Sequence, residues 1–195
     1  MSQYQVVNSV GITLRELLWS QMQPDSTISS LIDEQNIVFE PPYQFISETE
    51  PQTNRLSIFL YRVLENSDMR NRNPELINGN SARYPPLFLN LFYLITPLTN
   101  SAENNHYLLG KTMQILHDRG IVKGSLLKGI LENTAEELRV IFHPISIEDI
   151  TKLWSSFLRP YHLSAAYEVK VVAIDSQRTI ETETVLRKTI QYSQL

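Results

Sequence analysis

The chain has 195 residues, of which 42% are hydrophobic and 19% charged, a composition typical of a globular protein and too apolar for a disordered one. Its formal net charge is −4 and its lysines and arginines form no block, which argues against nucleic-acid binding. The sequence contains no cysteine, which excludes a disulfide framework, thiol catalysis and thiolate metal sites.

The beginning of the sequence and its apolar runs bear on targeting. Residues 1–18 lack the basic segment followed by an apolar segment that marks a signal peptide. The longest apolar run is far shorter than the roughly 18 residues of a membrane-spanning helix. We therefore expect synthesis in the cytoplasm and no direct membrane insertion. The length predicts a single domain over residues 1–195.

The first third of the chain predicts one helix and two strands. Apolar residues at spacings of three and four predict a helix over 3–22. A short strand is predicted at 36–39 and a longer one at 55–64, where apolar side chains fall on both faces. Residues 43–54 are polar and predict a loop.

A long polar segment, residues 66–80, follows the second strand. It is rich in asparagine and contains Pro74 and Gly79, so we predict a loop. Compact domains seldom keep a loop of more than about 12–15 structureless residues unless it has a function or is disordered. This loop is therefore a candidate contact with other molecules.

The next predicted strand, residues 86–96, is apolar on both faces except at Asn90. Pro85 and Pro86 precede it, remove two backbone donors and fix φ, so strand pairing is expected to begin only after them. We expect the strand to stop at Pro97. One set of alternate side chains should pack in the core, and the other set against an opposite layer or a neighbouring subunit.

The rest of the chain predicts two further helices and two further strands. A helix is predicted at 103–119, a strand at 137–143, a helix after the N-cap Ser146, and a long strand at 161–175. The tail 181–195 is polar and weakly strand-like. A helical capping box before residue 137 leaves a helix there as an alternative. Among the side chains expected to be buried are Met113, Phe142, Ile147 and Leu158.

The order of these elements indicates the fold class. Helices do not alternate regularly with the strands, which favours an α+β fold over a doubly wound one. The sequence predicts a single mixed, mostly antiparallel sheet with packed helices. The strands at 55–64 and 86–96 are placed centrally because both of their faces are apolar.

One motif invites a nucleotide-binding interpretation. Gly110, Lys111 and Thr112 match the end of a phosphate-binding loop. The glycine required five residues earlier is Asn105, however, and the motif lies inside a predicted helix instead of in a loop before it. We therefore interpret Lys111 as a solvated helix residue.

Other groups that could carry chemistry are equally weak. His117 and Asp118 lie at a helix end without further ligands at metal spacing. Glu148 and Asp149 are adjacent in a helical first turn, where acidic residues are favoured in any case. The glycines of 120–129 could form an anion nest, but a loop that ends a helix is the simpler interpretation. The sequence predicts no catalytic, cofactor or metal site, and thus a protein that is not an enzyme and works by contact with other chains.

Several blocks of the sequence carry a resemblance. They are LRELLW (14–19), LSIFLYRVLEN (56–66), RYPPLFLNLFYLITP (83–97), HYLLGKTMQILHD (106–118), ELRVIFHPISIEDITKLW (137–154) and YHLSAAYEVKVVAIDS (161–176). In this order they resemble the N-terminal domain of the cap, or tail-terminator, proteins of extracellular contractile injection systems. These are phage-tail-like particles such as the antifeeding prophage and the Photorhabdus virulence cassettes.

The resemblance implies a structural role and a phage tail-terminator-like fold. It implies a homohexameric ring that sits on the end of the inner tube, contacts the last sheath ring and stops both from growing. The implied partners are therefore further copies of the chain, the inner-tube protein and the sheath protein. The implied location is the assembled particle, which is intracellular, membrane-associated or released.

Candidate contact residues lie in the polar loop, beside the proline step and in the tail. They are Arg70, Arg72, Arg83, Tyr84, Glu183, Val185, Arg187, Lys188, Ile190 and Tyr192. The tail strand is expected to add to a sheet edge of a neighbour. An alternative function is that of an assembly adaptor or chaperone that is absent from the mature particle; a small hydrolase or nucleotide-binding enzyme is a more distant one.

Overall fold

A computed structural model describes residues 4–46, 53–78 and 81–181. Its helices are α1 (Val6–Met22), α2 (Ser26–Ser29), α3 (Ala102–Asp118) and α4 (Ile147–Ser156). Its strands are β1 (Ile37–Val38), β2 (Arg55–Glu65), β3 (Glu75–Asn78), β4 (Ser81–Arg83), β5 (Leu87–Leu98), β6 (Ile121–Lys123), β7 (Glu137–Phe142), β8 (Ala165–Ile174) and β9 (Thr179–Glu181).

The main sheet has six strands in the order β1-β2-β5-β8-β7-β6. Only β1 pairs with its neighbour in parallel, and the other pairs are antiparallel. This confirms the predicted α+β class and the mixed, mostly antiparallel sheet. The strands β2 and β5, predicted to be central, are both inner strands of this sheet. Residues 137–142 form a strand, which settles the alternative of a helix there.

Helices cover both faces of the main sheet. On one face, α1 and α3 pack against side chains of β5 such as Leu91, Tyr93 and Ile95. On the other face, Ile150 and Trp154 of α4 pack against Leu94. Successive residues of a strand point to opposite faces, so β5 contributes to both hydrophobic clusters. The resulting order of layers is helices, sheet, helix.

The central strand β5 extends further than its sequence predicts. Pro97 was expected to end it, but β5 continues to Leu98, and Pro97 lies opposite Leu56 of β2. Pairing with β8 already ends at Ile95, so Pro97 lies where β5 has a neighbour on one side only. A proline without a backbone donor is tolerated at such a position.

A second, three-stranded sheet was not predicted. Its order is β3-β4-β9, and all of its pairs are antiparallel. It contains the end of the segment 66–80, which we predicted as a loop: Ser67–Met69 form a 3-10 turn and Glu75–Asn78 form β3. The strands β3 and β4 are neighbours in the sequence, whereas Ser81–Arg83 pair with β9 almost 100 positions later, a contact that no local pattern shows.

Four side chains that we expected to be buried are exposed. Met113 is 37% exposed, Phe142 51%, Ile147 72% and Leu158 90%. Ile147 lies at the start of α4 and Leu158 follows its last turn with a positive φ of 55°, so neither faces the sheet. Phe142 ends β7, so its ring packs edge-to-face on Tyr167 at the border of the core and stays half exposed.

The N-terminus of α4 agrees with its predicted cap. The Ser146 hydroxyl accepts a hydrogen bond from the Asp149 backbone N–H at 3.1 Å and donates one to the Asp149 carboxylate at 2.8 Å. Ile145 and Ile150 both pack in the cluster around Trp154. The cap therefore fixes where α4 begins and how the preceding chain approaches the sheet.

Two buried polar side chains of α1 hold the loop between β6 and β7. The Thr13 hydroxyl accepts from the Lys128 N–H at 3.0 Å, and the Ser9 hydroxyl accepts from the Ile130 N–H at 3.2 Å. Gly129 lies between these donors with φ +64°, and a Cβ there would lie 2.6 Å from Ser9 Oγ. The loop and the helix can approach this closely only because residue 129 has no side chain.

We expect Gly129→Ala to lower the free energy of unfolding by about 1–3 kcal/mol, because alanine is strained at positive φ and its Cβ would meet Ser9. The matched control is Gly110→Ala in α3, where a Cβ meets nothing within 4 Å. It should raise stability by about 0.5–1 kcal/mol. Denaturant unfolding of both variants checks this. Equal effects of the two substitutions would show that the loop does not depend on the close approach.

Candidate interaction surface

A cleft of about 840 Å³ opens where the ends of β2, β5 and β8 meet the small sheet. It is lined by Glu65, residues 70–72, Pro74, residues 84–88 and residues 174–176. Two segments near each other in sequence and a third about 90 residues later therefore meet around the Pro85-Pro86 step. We call this cleft with the strands β3, β4 and β9 the distal surface.

An ion pair closes one side of the cleft. The Arg70 guanidinium donates to the same Glu65 carboxylate oxygen from Nη2 at 2.7 Å and from Nε at 3.0 Å. The side chains are 65% and 37% exposed, so solvent screens the pair and its contribution to stability is small. Its effect is to hold the Arg70 side chain in one orientation at the rim.

Two other arginines of the distal surface lie over aromatic rings. The Arg72 guanidinium carbon is 5.0 Å from the centre of the Phe88 ring, and that of Arg178 is 5.1 Å from the centre of the Tyr84 ring. The Tyr84 N–H donates to the Arg178 carbonyl at 2.9 Å, which holds this second pair together. Within the described ranges neither guanidinium has a carboxylate partner, so both remain able to bind an acidic group.

The proline step determines where pairing of the central strand begins. Leu87, directly after Pro86, is the first residue of β5 to pair with β8, opposite Ile174. The Phe88 carbonyl accepts from the Asn66 N–H at 2.8 Å, which joins β5 to the turn after β2. The prolines cannot donate backbone hydrogen bonds, so the chain before them is not part of the main sheet. It comes from β4 of the small sheet.

Asn90 anchors the distal surface to the main sheet. Its side-chain Oδ1 accepts from Asn66 Nδ2 at 3.0 Å, and its side-chain Nδ2 donates to Glu168 Oε1 at 2.9 Å. The Asn66 side-chain oxygen also accepts from the N–H groups of Asp68 and Met69 and so starts the turn that follows β2. The one polar residue of an apolar run is therefore the centre of a network that joins the turn after β2 to β5 and β8.

The structure brings part of the predicted contact set together. Arg70, Arg72 and Tyr84 line the cleft, and Arg83 lies next to it in β4, opposite Glu75 and Thr179. The other predicted contacts lie outside the described residues; they are Glu183, Val185, Arg187, Lys188, Ile190 and Tyr192.

Two important residues of the distal surface were not found from the sequence. Arg178 comes to Tyr84 only through the pairing of β4 with β9. Phe88 belongs to the alternate side chains of residues 86–96 that we expected against an opposite layer or a neighbouring subunit, and no arginine was predicted beside it. A separation of about 90 residues leaves no local signal for the first contact. An aromatic residue in a strand is more often core, which hides the second.

Lys111, which we interpreted as a solvated residue, takes part in an ion pair. Its Nζ lies 3.2 Å from Asp25 Oδ2, and only 24% of its side chain is exposed. The hydrogen bond from Lys111, together with that from the Ile28 N–H, holds the pKa of Asp25 below its usual value. The Asp25 carboxylate also caps α2. The lysine of the Gly-Lys-Thr motif therefore joins α3 to α2 in this fold.

The described residues also bear on metal binding and on membrane insertion. The described ranges contain no group of three or more histidine, aspartate or glutamate side chains placed to hold a metal ion. Among the same residues, no helix combines the length and the apolar character needed to span a bilayer.

Comparison with known proteins gives a family. The family described as the Pvc16 N-terminal domain matches residues 9–188. No curated protein sequence matches the chain. The match agrees with the resemblance drawn from the sequence blocks.

Two solved structures share the fold. One is described as the PVC sheath/tube terminator of an extracellular contractile injection system in its extended state; the TM-score is 0.56 at 18% identity, over 94% of this chain and 64% of that one. The other is described as the tube-terminating cap of the anti-feeding prophage; the TM-score is 0.56 at 16% identity, over 98% of this chain and 62% of that one. This chain thus spans less than two thirds of either protein. The likeness confirms the predicted tail-terminator-like fold.

We expect Asn90→Leu to lower the free energy of unfolding by about 1–3 kcal/mol, although leucine would complete the apolar run. The substitution leaves the amide of Asn66 and the carboxylate of Glu168 without their shared partner. Asn8→Leu, on the exposed side of α1, is the control and should change stability by less than about 0.5 kcal/mol. Thermal or denaturant unfolding measures both. A stabilised Asn90→Leu variant would show that the network does not hold the strands together.

Proposed function

The chain belongs to the Pvc16 N-terminal domain family, and from this premise we propose that it is a structural cap of a contractile injection particle. In this function copies of the chain form a ring on the end of the inner tube, contact the last sheath ring and stop both from growing. The observation that carries the proposal is the fold shared with two tube-terminating proteins over 94% and 98% of the chain.

The mechanism follows from the geometry of helical polymers. The end of a growing tube presents the same subunit-binding face after each addition. A ring that matches this face on one side and offers no equivalent face on the other ends the growth. Identical subunits form such a ring through heterologous contacts that close after a fixed rotation, and the implied number is six.

The distal surface is our candidate for contact with neighbouring proteins. Arg70, Arg72, Arg83 and Tyr84 lie on or beside the cleft, and their orientation is set by an ion pair, stacked rings and strand pairing. Side chains held in place before binding lose less conformational entropy when a partner docks. The tail residues from Glu183 to Tyr192 complete the proposed contact set with tube, sheath or ring neighbour.

A cap acts by occupying a surface and needs no chemical step. The two solved structures that share the fold are described as a sheath/tube terminator and a tube-terminating cap. Both descriptions refer to ending a polymer and neither refers to a reaction. We therefore propose a non-enzymatic protein without a cofactor, made in the cytoplasm and then incorporated into the particle.

The proposal is tested by particles assembled without this chain. We expect tubes and sheaths of irregular length, because growth then has no defined end, and we expect the wild-type chain supplied in trans to restore a uniform length. Electron micrographs give the length distribution, and mass spectrometry of purified particles shows whether the chain is retained. Uniform particles without the chain, or a chain absent from finished particles, would favour an assembly chaperone over a cap.

A paired variant tests the distal surface. We expect Arg72→Glu with Tyr84→Ala to reduce the amount of chain on particles about tenfold or more, because side chains central to an interface each contribute over about 1 kcal/mol. The control replaces an exposed lysine and an exposed tyrosine elsewhere, Lys123→Glu with Tyr107→Ala, and should bind as the wild type does. Equal amounts of the two variants on particles would show that the contact does not lie at the cleft.

A further inference from the structure

The small sheet of the distal surface has two open edges. Its middle strand β4 pairs with β3 on one side and with β9 on the other. Within the described residues, β3 and β9 have no second neighbour. The outer backbone groups of both strands are thus free to pair with another chain, which is the usual hazard of an exposed edge strand.

The edge at β3 is short and has a register shift, but it carries no lysine or proline and it exposes apolar side chains. Its residues Glu75–Asn78 include neither lysine nor proline, and Leu76 and Ile77 are 69% and 50% exposed. The register shift at Ile77 limits regular pairing to the first half of the strand. Two neighbouring apolar side chains beside free backbone donors and acceptors are characteristic of a strand that another strand covers.

The apolar side chains of the sheet form one row across its three strands. Leu76 lies opposite Ala82, and Ala82 lies opposite Ile180, so the three share one face. Ala82, in the middle, is buried, whereas Leu76 at one edge is largely exposed and Ile180 at the other is partly so. The row is therefore incomplete at both ends.

The directions of the strands determine which partner fits. Both β3 and β9 run antiparallel to β4, so they run parallel to each other at opposite edges of the same sheet. A second copy in the same orientation can then place its β9 beside β3 of the first copy. The small sheet and its row of apolar side chains then continue from one copy into the next. We propose that successive copies in the ring are joined in this way, with Ile180 of one copy beside Leu76 of the next.

This register brings no like charges together. Leu76 faces Ile180 of the neighbouring copy, so Glu75 faces Thr179, and Glu181 falls beside the Ile77–Asn78 end of β3. Each copy uses two different edges, so the contact is heterologous and repeats around a ring. A β3-to-β3 contact would instead be self-complementary and would stop at a dimer.

The inference rests on the proposed cap function, because a ring is what uses both edges of every copy. Beyond that function, it names the strand edges through which the subunits touch. It also identifies the partner at each edge as a second copy of this chain. Since the sequence contains no cysteine, a pair of introduced cysteines can report the contact without background. Within one copy the chosen positions are two strand spacings apart, about 10 Å, beyond the limit of about 7 Å between Cα atoms for a disulfide.

The experiment uses the full-length double variant Leu76→Cys with Ile180→Cys, purified alone and in particles, and air-oxidised with copper phenanthroline. We expect a ladder of covalent multimers on non-reducing gels that collapses to monomer with reductant. Each single variant should remain monomeric. Ile77→Cys with Ile180→Cys, moved by one residue, should crosslink several-fold less, and Leu158→Cys with Ile180→Cys should not crosslink.

Three results would overturn the inference. They are the absence of multimers in both preparations, dimers from Leu76→Cys alone, and a crosslink from either position to another protein of the particle. The lengths of the same particles separate this inference from the cap function. Uniform particles without the crosslink would reject the paired edges and leave the cap function intact, whereas crosslinked rings on particles of irregular length would contradict termination.

Discussion

The structure depends on one strand that is buried on both faces and paired along both sides. β5 lies between β2 and β8, sends Leu91, Tyr93 and Ile95 into the cluster under α1 and α3, and sends Leu94 into the cluster under α4. Burial of each large apolar side chain is worth about 1.5–3 kcal/mol. A shift of this strand by one residue would exchange its two faces and disturb both helical layers at once. Its register is therefore fixed by packing on both faces of the sheet.

The fixed register of β5 also positions the surface that we propose for contact. The Pro85-Pro86 step ends pairing at a defined point, and Asn90 ties the turn after β2 to β8 through Asn66 and Glu168. The small sheet and the arginine-lined cleft begin directly beyond these two features. A cap needs such a connection, because a contact surface on a loose hairpin would lose conformational entropy with every subunit that docks. The rigid core thus serves to orient edges and side chains at its end.

The parts that could be predicted from the sequence are those with local causes. The buried strand β5, the Ser146 cap of α4 and the strand β2 each follow from patterns within about 12 residues, and they agree with the structure. The contacts that were missed and that join distant segments are β4 with β9, Arg178 with Tyr84, and Lys111 with Asp25. Phe142 and Ile147 were wrongly predicted to be buried. Each lies at the end of an element and is therefore exposed, and the periodicity of a sequence does not show where an element ends. The sequence predicted a polar contact region at residues 66–80. It did not predict the cleft, because the cleft is formed by segments that meet only in the folded chain.

We propose that this chain ends the tube and the sheath of a contractile injection particle. The most direct measurement is a cryo-electron microscopy reconstruction of the ends of purified particles that contain the chain. We expect a single ring of the α+β fold at one end only, with its distal surfaces in contact with neighbouring subunits of the ring or with the last tube or sheath layer. Particle ends that lack this fold, or the fold repeated along the length of the particle, would contradict it.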